Sequence, residues 1–227
     1  MKKFNYYIPI VLQKIGYVIF FILYKVFLRI EIIGKENLVD LNGPIILASN
    51  HTSELDATAI PMVLPFLSTF SPIYFVVNKT EKYKTFGWRS YIYGGKFFNA
   101  LGGYPVFSGY KNYAIALDNH IKLLRKGQTI CIFPEGKRTK DGLLNPARGG
   151  LGYLVYVSGA TVVPVAIDTF FNMSWFDFLM RRRKLKIKIG KPMKSSEVMN
   201  PSILNPKVED FRHASQVVLD AVKLMME

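Results

Sequence analysis

The chain has 227 residues, half of them hydrophobic, and carries a formal net charge of +14 at neutral pH. This length suits one domain with a substantial core, and the apolar content excludes a disordered chain. The positive charge indicates an acidic partner, and its combination with 17 phenylalanines and 13 tyrosines favours a lipid surface over nucleic acid.

The first predicted element is a membrane-associated helix over about residues 4–28, which are mostly apolar. Lys14 and Lys25 interrupt this run at a spacing close to three helical turns, so both point to the same side, and Arg29 lies one turn beyond Lys25. A basic stripe on an apolar helix favours a segment that lies in the membrane interface, with a tilted single span as the alternative. We expect a peripheral, monotopic protein on the cytoplasmic face of the cell membrane.

Beyond Gly34 short apolar runs alternate with helical stretches, which predicts an α/β fold with a mostly parallel mixed sheet flanked by helices. Two regions follow from this pattern, an anchoring segment at 1–33 and one domain at 34–227. The predicted strands are Pro44–Ser49, Ile73–Val77, Tyr104–Phe107, Gln128–Phe133, Thr161–Ile167 and Lys184–Ile189. The predicted helices are Glu54–Leu64, Tyr83–Leu101, Lys111–Lys126, Arg148–Ser158 and Pro206–Met226. Functional groups of such sheets gather where strands end and helices begin.

His51 follows a predicted strand and precedes a predicted helix, so its side chain can project into a cleft. Asp56 can reach the same histidine only if it lies in the first turn of that helix. A carboxylate beside one ring nitrogen fixes the tautomer and supports the imidazolium formed in base catalysis. The alternative is structural, because Ser53 and Asp56 also form the S-x-x-D pattern of a helix capping box.

A second polar group, at Phe133–Thr139, lies where the predicted strand Gln128–Phe133 ends. Gly136 allows a ligand to approach the backbone closely. Arg138 and Lys137 can hold a phosphate, the arginine through a bidentate fork and the lysine as a point charge. Glu135 can orient this cluster or the acceptor. The alternative is a charged loop with solvated side chains.

Together the two motifs, NHTSELD at 50–56 and FPEGKRT at 133–139, resemble the lysophosphatidic acid acyltransferase family and its glycerolipid acyltransferase relatives. The hallmark of that family is H-x-x-x-x-D followed by an F-P-E-G-x-R block. The resemblance covers roughly residues 31–189, and residues 162–167 look like the late V-P-V strand of the family.

The resemblance implies transfer of a fatty acyl group from acyl-CoA or acyl carrier protein to a lipid hydroxyl, with 1-acylglycerol 3-phosphate as acceptor and phosphatidic acid as product. His51 matches the general base of the family and Asp56 its orienting partner. Glu135, Gly136 and Arg138 match the acceptor-binding block, to which Lys137 adds a charge. Neither a covalent intermediate nor a cofactor or metal is implied, since a thioester is already activated.

One departure from the family concerns the segment at 103–109, where members that act on glycerol phosphates usually carry an arginine shortly after a Gly-aromatic-Pro-Val-like run. Ser108 stands at that position here and Lys111 follows, which could substitute, although a lysine is not equivalent at a bidentate phosphate site. The alternative acceptor is another lysolipid or an amino-acid lipid. A non-catalytic basic membrane-binding protein is the alternative from a different class, but it does not explain the two motifs.

Two features remain outside these motifs. Cys131 is the only cysteine, which excludes an intramolecular disulfide, and we expect it to be a small core residue. Arg181–Lys184 form the densest basic cluster and follow the apolar run at 175–180. Such a pair of features fits a membrane interface, a solvated turn or the acidic surface of an acyl carrier protein.

Overall fold

A computed structural model describes residues 6–77, 96–106 and 112–227 of the chain. Within these ranges seven strands form one sheet. They are β1 (Glu31–Ile33), β2 (Ile45–Ser49), β3 (Ile73–Val77), β4 (Gly103–Pro105), β5 (Thr129–Ile132), β6 (Thr161–Asp168) and β7 (Lys186–Ile189).

The α-helices in the same ranges alternate with these strands along the chain. They are α1 (Tyr7–Phe27), α2 (Asp56–Ala59), α3 (Lys96–Ala100), α4 (Tyr113–Ala116), α5 (Asp118–Leu124), α6 (Gly150–Ser158), α7 (Trp175–Leu179), α8 (Ser195–Val198) and α9 (Val208–Met226). Two 3-10 turns lie at Lys35–Leu38 and Ile60–Val63.

The sheet has the order β1-β7-β6-β2-β5-β3-β4. From β6 to β4 the neighbouring strands pair in parallel, whereas β7 pairs antiparallel with β6 and β1 pairs parallel with β7. This mostly parallel mixed sheet with flanking helices confirms the fold class predicted from the sequence.

All six predicted strands are present, and their described ends lie within two residues of the predicted ones. The predicted end of the third strand at Phe107, and most of the predicted helix at 83–101, lie outside the described residues. The sequence did not predict β1, which has only three residues. The domain was predicted to begin at residue 34. Because β1 belongs to the sheet, residues 31–33 are structurally part of this domain as well.

Alternate residues of the central strands pack in two hydrophobic cores, one on each face of the sheet. Leu47 and Val163 pack in the core beneath α1 and α2, while Ile46 and Val162 pack in the core formed with α5, α6 and α9. Both faces of these strands are therefore buried, which is why their sequences are continuous runs of apolar residues. Cys131 lies in the first core, and burial raises the pKa of its thiol.

Helix α1 lies against the domain through two polar anchors. Near its start the Gln13 side chain donates to the carbonyl oxygens of Ile73 (2.6 Å) and Leu101 (2.8 Å) and accepts from the Ile73 N–H (2.9 Å). Near its end the hydroxyls of Tyr24 and Thr58 are 2.5 Å apart, and Thr58 donates to a backbone carbonyl of the turn before α2. The helix thus crosses one face of the sheet from the start of β3 to α2.

The outward side of α1 is an apolar stripe, which differs from the predicted basic stripe. Lys14 is half-buried with its ammonium 4.4 Å from the centroid of the Phe66 ring, while Lys25 and Arg29 are exposed at the C-terminal end of the helix. The exposed apolar residues of the stripe are Ile8, Val11, Ile15, Val18, Ile19, Ile22 and Val26.

Strands β2, β5 and β6 end at the same edge of the sheet because they are parallel. Their register pairs Ala48 with Ile132, so the residues that follow each strand meet at this edge. The two motifs singled out in the sequence are the segments that follow β2 and β5, and the fold therefore brings them together.

Candidate active site

The His51 ring is paired with a buried carboxylate. Its Nδ1 lies 2.9 Å from Oδ2 of Asp56, whose side chain is fully buried, whereas 21% of the histidine side chain is exposed. Asp56 is the first residue of α2 and His51 lies on the turn before it, so the arrangement required by the five-residue spacing is confirmed.

Asp56 also organises the turn that carries the histidine. Its Oδ2 accepts the backbone N–H groups of Thr52 (2.7 Å) and Ser53 (2.8 Å), and its Oδ1 accepts the Thr52 hydroxyl (3.2 Å). The bond from Ser53 is one half of a capping box, but the reciprocal bond is not made, since the Asp56 N–H donates to the Ser53 carbonyl oxygen. The contacts of Asp56 are therefore compatible with both the structural and the functional interpretation.

These contacts fix the tautomer of His51. An aspartate carboxylate only accepts, so the hydrogen on the His51 ring is assigned to Nδ1, and Nε2 keeps its lone pair. The ring is held from one side by Phe133, with the two ring centroids 4.1 Å apart and the planes 14° from parallel. A basic nitrogen on a fixed, partly exposed ring is the geometry of a general base.

Glu135 joins the two motifs through the backbone. Its Oε1 accepts the His51 N–H at 2.8 Å, and its Oε2 accepts the backbone N–H (2.7 Å) and side-chain amide (2.9 Å) of Asn145. The residue is only 1% exposed. The sequence assigned Glu135 to acceptor binding, but both of its oxygens are engaged inside the protein, so its contacts are those of a residue that positions His51.

Gly136 has a left-handed backbone conformation (φ +66°) and a close neighbour. A Cβ at this position would lie 2.8 Å from Cδ of Arg148, whose exposed side chain passes over the loop. Any L-residue other than glycine would therefore be strained here and would also displace Arg148. The sequence reasoning did not single out Arg148, and the long separation between 136 and 148 gave no local signal for this contact.

Arg138 is exposed at the rim of this edge, where its Nη1 lies 2.9 Å from Oε1 of Glu54. Both side chains are about half exposed, and an ion pair of this kind contributes only about 0.2–1 kcal/mol. An anionic ligand could therefore replace Glu54 as the partner of Arg138 at small cost. Lys137 is exposed beside it, while Lys111, the remaining predicted ligand, and Ser108 lie outside the described residues.

Asn50 is a further residue of the site that the sequence reasoning did not identify. Its buried side-chain amide donates to the Ile167 carbonyl oxygen and accepts the Ile167 N–H, both at 2.8 Å. These bonds tie the residue before His51 to the end of the neighbouring strand β6. Its place in the NHTSELD motif was visible, but its partner lies 117 residues away.

Comparisons with known proteins show the family to which the chain belongs. A model of the protein family described as Acyltransferase matches residues 29–168, more than half of the chain. The 1-acyl-sn-glycerol-3-phosphate acyltransferase of Bacillus subtilis (strain 168) is 25% identical over 169 residues, which are 74% of this chain and 75% of that protein.

Two chloroplastic 1-acyl-sn-glycerol-3-phosphate acyltransferases are also similar. The protein from Brassica napus is 28% identical and that from Arabidopsis thaliana 29% identical, each over 62% of this chain. The matched segments span only 38% and 36% of those two proteins. Among solved structures, the 1-acyl-sn-glycerophosphate acyltransferase PlsC from Thermotoga maritima shares the fold, with a TM-score of 0.58, 22% identity and coverage of 95% of this chain and 79% of that one.

Proposed function

Because this chain belongs to the Acyltransferase family, we propose that it transfers a fatty acyl group from a thioester donor to the free hydroxyl of 1-acylglycerol 3-phosphate, forming phosphatidic acid. The donor is acyl-CoA or acyl carrier protein. The observation that carries the proposal is the bond between His51 and buried Asp56, which leaves the other ring nitrogen basic at the edge of the sheet that also carries Arg138.

In the proposed reaction Nε2 of His51 takes the proton of the acceptor hydroxyl as its oxygen attacks the thioester carbonyl carbon. The C–S bond then breaks, and the thiolate receives the proton from the imidazolium, which Asp56 stabilises meanwhile through Nδ1. General base catalysis of this kind typically contributes about 10²–10⁴ in rate. A thiolate is a good leaving group, so the chemistry needs neither a covalent intermediate nor a metal.

The acceptor phosphate is proposed to bind Arg138, with Lys137 and Lys111 as further cations. Arg138 supports this role because its partner Glu54 lies in the turn between His51 and Asp56, so a phosphate held there would bring the acceptor close to the base. A guanidinium binds a phosphate through two parallel hydrogen bonds, which also orients the ligand. The exposed side chain of Arg148 borders the same loop and adds positive charge.

Helix α1 is proposed to hold the protein on the cytoplasmic face of the membrane while lying along the interface. By length and composition it could cross a bilayer, which alone is weak support for membrane association. However, Gln13 and Tyr24 bind it to the domain near both ends, so a spanning α1 would have to give up these partly buried hydrogen bonds. The exposed apolar stripe can instead enter the interface while the opposite side stays packed.

A panel of acceptors tests the proposed substrate. Purified protein is given labelled acyl-CoA or acyl carrier protein with 1-acylglycerol 3-phosphate, a lysophospholipid with a phosphodiester head group, or an amino-acid lipid with a free hydroxyl. We expect the phosphomonoester to be acylated at the highest kcat/KM. Preference for one of the other acceptors would support the alternative suggested by Ser108 and contradict the proposed substrate, while leaving acyl transfer itself intact.

The role of Arg138 is tested within the same assay. Arg138→Ala should raise the acceptor KM about tenfold or more, the expected loss for a charged hydrogen-bond pair, and leave the thioester KM within twofold. Lys122→Ala is the matched control, because Lys122 forms an equally exposed ion pair with Asp118 on α5. If Arg138→Ala leaves the acceptor KM unchanged, Arg138 does not bind the acceptor phosphate.

A further inference from the structure

The short helix α7 and the turn after it, residues 175–182, form an exposed apolar and basic surface that the proposed chemistry does not use. No residue of α7 is buried. Soluble surfaces rarely carry several large apolar side chains together without a partner to cover them. The exposed fractions are 81% for Trp175, 53% for Phe176, 58% for Leu179 and 60% for Met180.

This surface is built rigidly despite its exposure. A complete capping box begins α7, in which the Ser174 hydroxyl accepts the Asp177 N–H (3.0 Å) and the Asp177 carboxylate accepts the Ser174 N–H (3.2 Å). The Ser174 hydroxyl also donates to the Asp177 carboxylate (2.7 Å), and this bond, together with the one from the Ser174 N–H, holds the pKa of the Asp177 carboxyl below its usual range. The apolar side chains are thus presented from a defined helix.

The surface is continuous with the end of α1. The ring of Phe178 stacks on Phe27 with the centroids 4.9 Å apart, and the Trp175 ring lies edge-on to the Phe178 ring with the centroids 6.1 Å apart. The Arg29 guanidinium reaches the Arg181 carbonyl oxygen at 3.4 Å. The exposed residues of α7 therefore adjoin the C-terminal end of α1.

Cations border the apolar residues. Arg181 and Arg182 are exposed directly after the helix, and the Arg182 guanidinium lies 4.6 Å from the centroid of the Phe176 ring. Lys25 and Arg29 are exposed at the adjoining end of α1. An aromatic cluster edged with arginines complements the apolar interior and anionic head groups of a phospholipid bilayer.

We infer that residues 175–182 are a second membrane contact, in which Trp175 and Phe176 enter the interface of an anionic bilayer while Arg181 and Arg182 bind lipid phosphates. The segment follows β6, which ends at the same edge as β2, so the contact holds the edge that carries His51 close to lipid. It extends the proposed association through α1. Vesicle binding and tryptophan fluorescence test this inference without a measurement of acyl transfer. The second membrane contact can therefore be disproved while the proposed acyl transfer is not.

The occupant is a bilayer rather than an acyl carrier protein because the apolar side chains dominate the exposed surface. An acidic carrier would be bound by Arg181 and Arg182, but contact by charge alone would leave Trp175 and Leu179 in water. A bilayer covers both the arginines and the apolar residues, and it also covers the adjoining stripe of α1.

Vesicle binding tests the charged part of this contact. Reversal of the two arginines, Arg181→Glu with Arg182→Glu, should weaken binding of the full chain to phosphatidylglycerol-containing vesicles at least about tenfold, since each basic residue near a bilayer adds about 1 kcal/mol. The control is Arg212→Glu with Lys223→Glu on α9, which makes the same change in net charge on the opposite face of the sheet. It should change binding less than threefold. An equal loss in both variants would show an effect of net charge only and overturn the inference.

Tryptophan fluorescence tests the apolar part. The chain has two tryptophans, so Trp88→Phe leaves Trp175 as the single reporter. On vesicles with brominated acyl chains we expect a blue-shifted and quenched emission from Trp175. Emission that stays unchanged when the protein binds vesicles would exclude insertion.

A comparison of donors covers the alternative partner. If the arginine reversal leaves vesicle binding unchanged but slows transfer from acyl carrier protein and not from acyl-CoA, the surface binds the carrier and the membrane inference is wrong.

Discussion

At the scale of single residues, Asp56 both shapes a turn and holds the ring of the proposed base. It accepts two backbone N–H bonds that shape the turn and a third bond from the His51 ring. The orientation of the base is thus set by the same bonds that begin α2. Neither the capping pattern nor the catalytic pattern in the sequence had to be discarded.

Glu135 gives the first prediction. Glu135→Gln should lower kcat about tenfold and leave both KM values nearly unchanged, because a glutamine has one acceptor oxygen and cannot accept the N–H groups of both His51 and Asn145. The buried N–H left without an acceptor should also cost about 1–3 kcal/mol of stability. Steady-state kinetics and equilibrium unfolding measure the two effects.

The matched control for this variant is Glu197→Gln, since the Glu197 carboxylate also accepts a backbone N–H, from Lys194, but at an exposed turn far along the chain. It should change neither kcat nor stability appreciably. If Glu135→Gln loses stability but keeps its kcat, Glu135 supports the fold without positioning His51.

The sequence predicted the pairing of His51 with Asp56 because local spacing governs it. It did not predict the position of Glu135, which depends on a backbone hydrogen bond between residues 84 positions apart. The same limit applies to Asn50, whose partner is on β6. Contacts to backbone groups across strands leave no side-chain pattern in the sequence from which they could be inferred.

At the scale of elements, α1 is attached more firmly than an isolated membrane anchor would be. The sequence predicted the helix and a basic stripe along it, but not which side of the helix faces the domain. Both sides of this helix are largely apolar, so periodicity alone could not decide which one faces the domain. The half-buried amide of Gln13 and the hydroxyl of Tyr24 decide it, because each makes a hydrogen bond to the domain.

Tyr24 gives the prediction at this scale. Tyr24→Phe removes the bond to Thr58 and keeps the ring, so the free energy of unfolding should fall by about 1 kcal/mol. Tyr17→Phe is the control, because the contacts of Tyr17 with Phe21 and Phe66 are made by its ring. Equal stability of the two variants in denaturant unfolding would mean that the Tyr24 hydroxyl does not anchor α1.

At the scale of the whole molecule, the alternation of apolar runs and helical stretches was enough to predict a mostly parallel sheet. The short elements β1, α7 and α8 were not predicted. The order of the strands also lay beyond the sequence, yet it has the largest consequence. It places β2 beside both β5 and β6, so the segments after all three strands surround His51.

His120 couples the stability of the whole fold to pH. It is fully buried on α5, its Nε2–H donates to the Tyr104 carbonyl oxygen at 3.2 Å, and burial lowers its pKa to about 4. The unfolded chain takes up this proton near pH 6.5, whereas the folded chain takes it up only near pH 4. Stability is therefore fully present above pH 6.5 and is lost as the pH falls towards 4.

Between pH 7.5 and pH 5.0 this residue should cost about 2 kcal/mol of unfolding free energy, at about 1.4 kcal/mol for each pH unit below 6.5. His120→Gln should abolish that part of the pH dependence, and His213→Gln on the exposed side of α9 should retain it. Denaturant unfolding of the three proteins at both pH values measures the difference. Parallel pH dependence of His120→Gln and the unchanged chain would show that His120 is not the group responsible.

The central claim is that His51 is the base for acyl transfer, and the most direct measurement is the single-turnover rate of His51→Ala with acyl-CoA and 1-acylglycerol 3-phosphate. Circular dichroism and vesicle binding of the same preparation verify that the variant is folded and reaches the lipid. We predict that the rate falls at least about a hundredfold, as expected for loss of a general base. A folded, membrane-bound His51→Ala protein that transfers the acyl group within threefold of the unchanged chain would contradict the claim.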